Sequence, residues 1–285
     1  MDIAVNLKDV SKRYDDFKLE NLNICLESGY VLGLIGPNGA GKSTTIKLLL
    51  NHIKADSGQI EINGKSYDKS GPSIKNDIGF VLDQDHYYSH LTIRKIGRAL
   101  SPFYTEWSQS KFESYIERFS LPFDKKISQL SKGMKMKFSL AIALSHNAKL
   151  LLMDEPTSGL DPIVRSELIE ILSGVMLNDK KSIIFSTHIT SDLDKIADYI
   201  LLLNGGKTLL NEDKDALIER HAIVKGPKEL SHEVSDHAIG IKKHKYGFEA
   251  LTCDKNRFLN DSRLIFEKPT LDDIMLYYTK GESRC

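Results

Sequence analysis

Gly36-Pro37-Asn38-Gly39-Ala40-Gly41-Lys42-Ser43 is the stretch that decides the fold, because it has the pattern GxxxxGK[ST]. The apolar run at residues 30–35 predicts a buried strand before it, and residues 44–50 predict a helix after it. In such a loop the backbone N–H groups turn toward phosphate oxygens, and the helix N-terminus adds its positive end. Lys42 then reaches the β- and γ-phosphates of a nucleotide, and Ser43 coordinates Mg²⁺. A chance match in a glycine-rich turn is the alternative, which the flanking strand and helix disfavour.

Two adjacent carboxylates follow another apolar run. Residues 150–153 are Leu-Leu-Leu-Met, and Asp154 and Glu155 come directly after them. Ligands bind at the carboxyl ends of the strands in parallel sheets. This position predicts that Asp154 holds Mg²⁺, directly or through water, and that Glu155 orients and deprotonates an attacking water. A strand that simply ends in solvated acids is the alternative, and the phosphate loop elsewhere in the chain makes it the weaker one.

The order of strand and helix patterns predicts an α/β fold with a mostly parallel sheet. Residues 3–26 alternate apolar and polar side chains between polar turns, which indicates an antiparallel edge sheet. Buried-strand patterns recur along the chain, separated by helical patterns, at residues 30–35, 78–82, 149–153, 182–186 and 200–203. A long helical block between the second and third of these strands predicts an inserted helical subdomain.

The pattern of the chain changes after about residue 210. Short apolar pieces lie among charged turns there, and Thr270 with Asp273 predicts the start of a final helix through Tyr278. We therefore expect two domains: a nucleotide-binding domain at residues 1–209, with its helical subdomain at about 84–148, and a small α+β accessory domain at residues 210–285.

Charge and hydropathy restrict the classes of partner. Lysine plus arginine (39) equals aspartate plus glutamate (39), so the chain has no electrostatic reason to bind nucleic acid, and none is expected. No apolar run approaches the roughly 20 residues that cross a bilayer. The three cysteines are odd in number and show no CxxC spacing, so neither a disulfide framework nor a zinc site is expected, and a reducing cytoplasm fits better. If this protein acts on a membrane, we expect it to do so through a partner.

Four further short motifs accompany the phosphate loop and the carboxylates. Residues 130–134 (Leu-Ser-Lys-Gly-Met) carry Ser131 and Gly133, residues 158–161 (Ser-Gly-Leu-Asp) end in Asp161, His188 follows a buried strand, and Tyr14 precedes the phosphate loop. In their order along the chain, these four motifs, the phosphate loop and the carboxylates resemble the motifs of the ABC ATPases, whose signature commonly reads LSGGQ. Lys132 and Met134 depart from that signature. The resemblance covers roughly residues 3–208.

The resemblance implies roles for individual residues. Tyr14 stacks on adenine, Thr44 joins residues 36–43 around the phosphates, and His188 senses the γ-phosphate beside the base Glu155 and the charge-neutralising Lys42. Ser131 and Gly133 contact an ATP bound to a second ATPase subunit, and Asp161 carries information between the two sites. The family usually has a glutamine after the strand at residues 78–82. Asp83 and Gln84 stand there, and either is expected near the nucleotide, with Gln84, Ser43 and Asp154 as the expected Mg²⁺ ligands.

The resemblance also implies a function. It is closest to ATPase subunits that bind and hydrolyse ATP to power export through an integral membrane permease in a separate chain, at the inner face of the cell membrane. The tail at residues 267–271 and the Ser-Lys-Gly-Met signature are similar to those of subunits that handle antibiotics or peptides. Import remains open. Two alternatives remain. One is a non-transport ABC ATPase that clamps ribosomes or nucleic acid, which the neutral charge of the chain disfavours. The other is a regulatory ATP-binding module, which Glu155 disfavours.

Overall fold

A computed structural model describes residues 2–82, 87–179, 181–258 and 261–280. Within these ranges the strands are β1 Ile3–Arg13, β2 Lys18–Glu27, β3 Val31–Ile35, β4 Ser57–Ile62, β5 Lys65–Ser66, β6 Ile78–Val81, β7 Leu150–Asp154, β8 Ser182–Thr187, β9 Tyr199–Asn204, β10 Lys207–Asp213, β11 Ala222–Pro227, β12 Gly240–Lys243, β13 Gly247–Thr252 and β14 Ile265–Glu267. The α-helices are α1 Lys42–Leu49, α2 Tyr67–Asp77, α3 Ile93–Leu100, α4 Gln109–Arg118, α5 Lys132–Ser145, α6 Pro162–Asp179, α7 Thr190–Ile196, α8 Lys214–Arg220, α9 Ser231–Ser235 and α10 Leu271–Lys280.

A six-stranded sheet forms the centre of the molecule, in the order β10-β9-β3-β8-β7-β6. β3 and β6 to β9 are parallel, and β10 pairs antiparallel with β9 at one edge. All residues of β3 and β8 are buried, as expected for strands covered on both faces. The predicted α/β fold with a mostly parallel sheet is confirmed.

An antiparallel sheet in the order β2-β1-β4-β5 packs beside the central sheet. Its buried side chains, such as Leu7 and Leu19, share one core with Ile46 of α1 and Leu34 of β3. The apolar–polar alternation at residues 3–26 arises because one face of this sheet is buried in that core. The predicted antiparallel edge sheet is therefore correct.

The helices α3, α4 and α5 lie between β6 and β7 along the chain, as the inserted helical block was predicted to. His146, just after α5, joins this block to α2, because its Nδ1 contacts the carbonyl oxygen of Asn76 at 3.2 Å. The ring stacks on Tyr104 with centroids 3.9 Å apart. Burial lowers the pKa of His146 to about 4, so the ring is neutral at neutral pH and its Nδ1–H donates to that carbonyl.

The C-terminal strands form an antiparallel sheet in the order β12-β13-β11-β14, which α10 packs against. Thr270 Oγ1 accepts from the Asp273 backbone N–H at 3.1 Å, and Asp273 Oδ2 accepts from the Thr270 backbone N–H at 2.9 Å, so the predicted cap is confirmed. The predicted boundary at residues 209 and 210 falls inside β10, which pairs with the central sheet. The division into two domains stays a prediction.

The turn between β9 and β10 links the phosphate loop to the antiparallel sheet through backbone hydrogen bonds. The Gly206 N–H donates to the Ala40 carbonyl oxygen at 3.1 Å, and the Gly206 carbonyl accepts from the Glu20 N–H at 2.8 Å. Gly206 has φ +77°, and a Cβ there would lie 1.8 Å from the backbone oxygen of Lys18. No side chain can occupy this position without moving the backbone.

We therefore expect Gly206→Ala to lower the free energy of unfolding by at least about 3 kcal/mol, since a backbone clash adds to the cost of a left-handed residue. Its neighbour Gly205 is the matched control, because it has φ +53° and a Cβ there would meet no atom within 4 Å. Gly205→Ala should cost only about 1 kcal/mol. Denaturant unfolding of both variants measures the difference. Equal losses of unfolding free energy in the two variants would contradict this role of Gly206.

Candidate functional site

The side chain of Lys42 lies at the start of α1 and is only 6% exposed. Its ammonium donates to the carbonyl oxygens of Gly36 at 2.8 Å and Pro37 at 3.3 Å. Glu155 Oε1 lies 3.4 Å from the same nitrogen. A buried ammonium needs such partners because its desolvation is otherwise too costly.

Glu155 follows β7 and holds its carboxylate between two neighbours. Its backbone N–H donates to the carbonyl oxygen of Ser186 at 3.0 Å, and its φ of 49° is uncommon for a residue with a side chain. Oε1 faces Lys42, whereas Oε2 lies 2.7 Å from His188 Nδ1. An ionised carboxylate only accepts hydrogen bonds, so Nδ1 of His188 is the donor. Lys42 and His188 therefore fix both carboxylate oxygens.

Asp154 ends β7 beside Glu155. Its Oδ1 accepts a hydrogen bond of 2.5 Å from the Ser186 hydroxyl, on the neighbouring strand β8. Ser43 is exposed at the start of α1. These two residues offer the hard oxygen donors that Mg²⁺ prefers, and Mg²⁺ is usually held by one or two carboxylates together with substrate phosphates. The hydroxyl of Ser43 and the carboxylate of Asp154 therefore fit an Mg²⁺ site that substrate phosphates complete. In the described ranges no group of three or more His, Cys, Asp or Glu could hold a metal ion.

A cavity of about 690 Å³ opens over Lys42, Ser43, Glu155 and His188 and brings most of the predicted nucleotide-binding residues together. Tyr14 forms part of its wall and is 42% exposed, with its ring centroid 6.4 Å from that of Phe17. The full lining is Tyr14, Asp16, Phe17, Asn38, Gly39, Ala40, Gly41, Lys42, Ser43, Thr44, Glu155, Ser158 and His188.

Sequence reasoning did not select three residues of this lining, Asp16, Phe17 and Ser158, nor Ser186 behind it. Phe17 carried a weak signal, since it is the next aromatic residue after Tyr14. Asp16 lies two residues after Tyr14, and Ser158 begins the motif at residues 158–161, but neither residue has a distinguishing pattern of its own. The role of Ser186 depends on the pairing of β7 with β8, which the sequence does not contain.

The predicted contacts of a second ATPase subunit lie outside the lining of this cavity. Ser131 caps α5, with its Oγ accepting from the Met134 N–H at 3.2 Å. Gly133 is buried against Val164, since a Cβ there would lie 2.7 Å from a methyl carbon of that residue. Asp161 caps α6, with Oδ1 accepting from the N–H groups of Ile163 and Val164 at 3.1 Å each. Asp83 and Gln84 lie outside the described residues.

Comparisons with known proteins agree with this geometry. A family model described as "ABC transporter" matches residues 19–158, and one for an AAA domain (putative AbiEii toxin, Type IV TA system) matches residues 126–193. The bacitracin transport ATP-binding protein BcrA of Bacillus licheniformis is 32% identical over 83% of this chain and 76% of its own length. The Nod factor export ATP-binding protein I of Rhizobium sp. (strain N33) is 30% identical over 98% of each chain.

A solved structure of an ATP-binding subunit of an ABC transporter superposes with a TM-score of 0.69 at 26% identity, covering 76% of this chain and 92% of the other. This chain belongs to the ABC transporter ATP-binding family. The predicted family is therefore confirmed, and the transport ATPase is favoured over a clamp on ribosomes or nucleic acid. As an ABC ATPase the protein binds a nucleotide and hydrolyses ATP.

In the described part of this ABC ATPase, no helix combines the length and the apolar character that a membrane span requires.

We expect Tyr14→Ala to weaken binding of a non-hydrolysable ATP analogue by about 5- to 100-fold, because stacking of a base on an aromatic ring contributes about 1–3 kcal/mol. Tyr14→Phe keeps the ring and should bind within about 2-fold of the unchanged protein. Titration calorimetry measures both affinities. If the alanine variant binds as tightly as the phenylalanine variant, Tyr14 does not stack on the base.

Proposed function

We propose that this ABC ATPase hydrolyses ATP in the 690 Å³ cavity and thereby powers export through a separate membrane subunit. The observation that carries the proposal is the position of the Glu155 carboxylate, 3.4 Å from Lys42 Nζ and 2.7 Å from His188 Nδ1 at the wall of the cavity. A general base can activate the attacking water, and a cation beside it can stabilise the charge that develops on a phosphoanhydride during hydrolysis.

ATP binds with its phosphates against the loop at residues 36–44. Backbone N–H groups and the N-terminus of α1 face the phosphate oxygens. Lys42 already carries its charge in a buried position, so phosphate oxygens replace the carbonyl oxygens of Gly36 and Pro37 as its partners. The ring of Tyr14 takes the adenine.

Glu155 acts as the general base. Its carboxylate accepts a proton from the attacking water as the water oxygen bonds to the γ-phosphorus and the bond to the β–γ bridging oxygen breaks. Lys42 stabilises the negative charge that develops on the phosphate oxygens. His188 orients the carboxylate through Nδ1 and contacts the γ-phosphate. Mg²⁺ held by Ser43 and Asp154, with Gln84 as a further ligand, supplies additional charge neutralisation when bound.

We expect Glu155→Gln to keep ATP affinity within a few-fold while lowering turnover by about 10²- to 10⁴-fold, since only the proton acceptor is lost. Steady-state phosphate release and nucleotide titration give the two quantities. Glu170→Gln is the control, because Glu170 is an exposed carboxylate on α6, and its turnover should not change. Turnover above about a tenth of the unchanged rate in Glu155→Gln would remove Glu155 from the role of base.

A second ATPase subunit, either a copy of this chain or a related one, completes the site in the proposal. Ser131 is exposed at the N-terminus of α5, where the helix presents a positive end to an anion. With the backbone at Gly133, it would bind the γ-phosphate of ATP held by the other subunit. Closure of the pair then depends on ATP rather than ADP, and Asp161 lies between the two sites.

The membrane partner would dock on a groove of about 540 Å³ between α2 and the turn Ser101–Phe103 after α3. Phe103 forms its rim and is 76% exposed, which leaves its ring accessible to a partner. We infer that a short helix of the membrane subunit occupies this groove. The ATPase then lies at the cytoplasmic face of the membrane. The relatives are named for bacitracin transport and for Nod factor export, so their names support export but no single class of cargo, and an antibiotic or peptide is proposed from the signature and the tail at residues 267–271.

We expect tagged Glu155→Gln protein to recover a multi-span membrane protein from detergent-solubilised native membranes in the presence of Mg-ATP. Phe103→Asp should reduce this recovery at least about 5-fold, because a buried charge opposes docking of an apolar helix. Leu177→Asp is the control, since Leu177 is 83% exposed on α6, outside the groove. Recovery of ribosomal or DNA-repair proteins alone would overturn the transport proposal.

A further inference from the structure

We propose that Arg165 is a positioning residue. Through an ion pair with Asp192 it couples the loop that ends at Asp161 (the Asp161 loop) to the helix α7, which follows His188. The inference rests on the proposed function, in which His188 and Asp161 act on ATP. Arg165 and Asp192 do not line the cavity. Their effect on the reaction would be carried by the two helices on which they lie.

The guanidinium of Arg165 makes two directed contacts with α7. Its Nε donates to Asp192 Oδ1 at 2.6 Å, and its Nη2 donates to the hydroxyl of Ser191 at 2.7 Å. An arginine that uses two nitrogens on two successive residues fixes orientation as well as distance. The two helices α6 and α7 are therefore held in one relative position at this point.

Asp192 depends on Arg165 to an unusual degree. The Asp192 side chain is 5% exposed and the Arg165 side chain 27%. In the described part of the chain, Asp192 Oδ2 is buried with no hydrogen-bond partner. A half-satisfied buried carboxylate is a costly arrangement, and the bond to Arg165 offsets part of that cost. A purely structural contact at this place would be served as well by two apolar side chains.

The positions of both partners along the chain connect them to the site. Arg165 lies one helical turn after Asp161, and its backbone N–H donates to the Asp161 carbonyl at 3.0 Å. Asp192 lies one turn after His188, in the first turn of α7. His188 in turn holds Glu155 at 2.7 Å. A displacement of the Asp161 loop, where the second subunit would bind, thus shifts α7 and the hydrogen bond to the proposed base.

The test is a double variant, Arg165→Met with Asp192→Leu, which replaces both partners of the pair by apolar side chains and leaves neither a charge nor a polar group unpaired. Replacing both partners of a buried pair is often neutral for stability, so the melting temperature should stay within about 4 °C of the unchanged protein. We expect kcat to fall at least about 10-fold while KM for ATP stays within about 3-fold. Arg165→Lys, which keeps the contact with Asp192 but loses the fork, should give an intermediate kcat.

The control is the pair formed by Arg220 and Glu212 at 2.7 Å, between α8 and β10. The variant Arg220→Met with Glu212→Gln should leave kcat unchanged. If both double variants leave kcat unchanged while His188→Ala abolishes turnover, the coupling role of Arg165 is wrong and the proposed function stands. If His188→Ala itself turns over normally, the proposed function fails first. If Arg165→Lys loses kcat only in proportion to its loss of stability, the positioning role is also wrong.

Discussion

The buried ammonium of Lys42 is the charge on which the rest of the site depends. With 6% of its surface exposed it needs partners, and it has two loop carbonyls and the carboxylate of Glu155. Those partners fix the path of the phosphate loop and the end of β7. Glu155 then fixes His188, at the end of β8. All three groups come within reach because β3, β8 and β7 are neighbours in one parallel sheet, so their carboxyl ends meet at one edge.

The features that the sequence could predict are those that depend on neighbouring residues in the chain. The phosphate loop, the acids after β7 and the cap at Thr270 each lie within a few consecutive residues, and their patterns predicted strand, loop and helix correctly. Strand order is a different kind of information. That β8 lies between β3 and β7 follows from packing across the whole chain, and so does the hydrogen bond from Ser186 to Asp154. Asp83 and Gln84 lie outside the described residues, so their predicted roles stay predictions.

The C-terminal segment carried no motif, yet its last helix belongs to the same core as the ATPase. Leu271, Ile274, Tyr277 and Tyr278 are buried in the apolar cluster that also contains Phe185 of β8. His221 lies beneath this helix, where its Nε2 accepts from the Tyr278 hydroxyl at 2.9 Å and burial lowers its pKa. Since its Nδ1 faces the Leu217 carbonyl at 2.7 Å, the imidazole is satisfied as a neutral group and has a packing role.

The helix α7 contacts two other helices, α6 and α10. On one side Arg165 binds it from α6, and on the other α10 packs against it, with the Thr190 hydroxyl 3.4 Å from Asp272 Oδ1. A seven-residue helix has little stability of its own, so its position is set by what packs on it. The backbone that carries His188 leads directly into this helix. The orientation of His188 toward Glu155 is therefore a property of the whole packed core rather than of the cavity alone, and residues far from ATP can change the rate of hydrolysis.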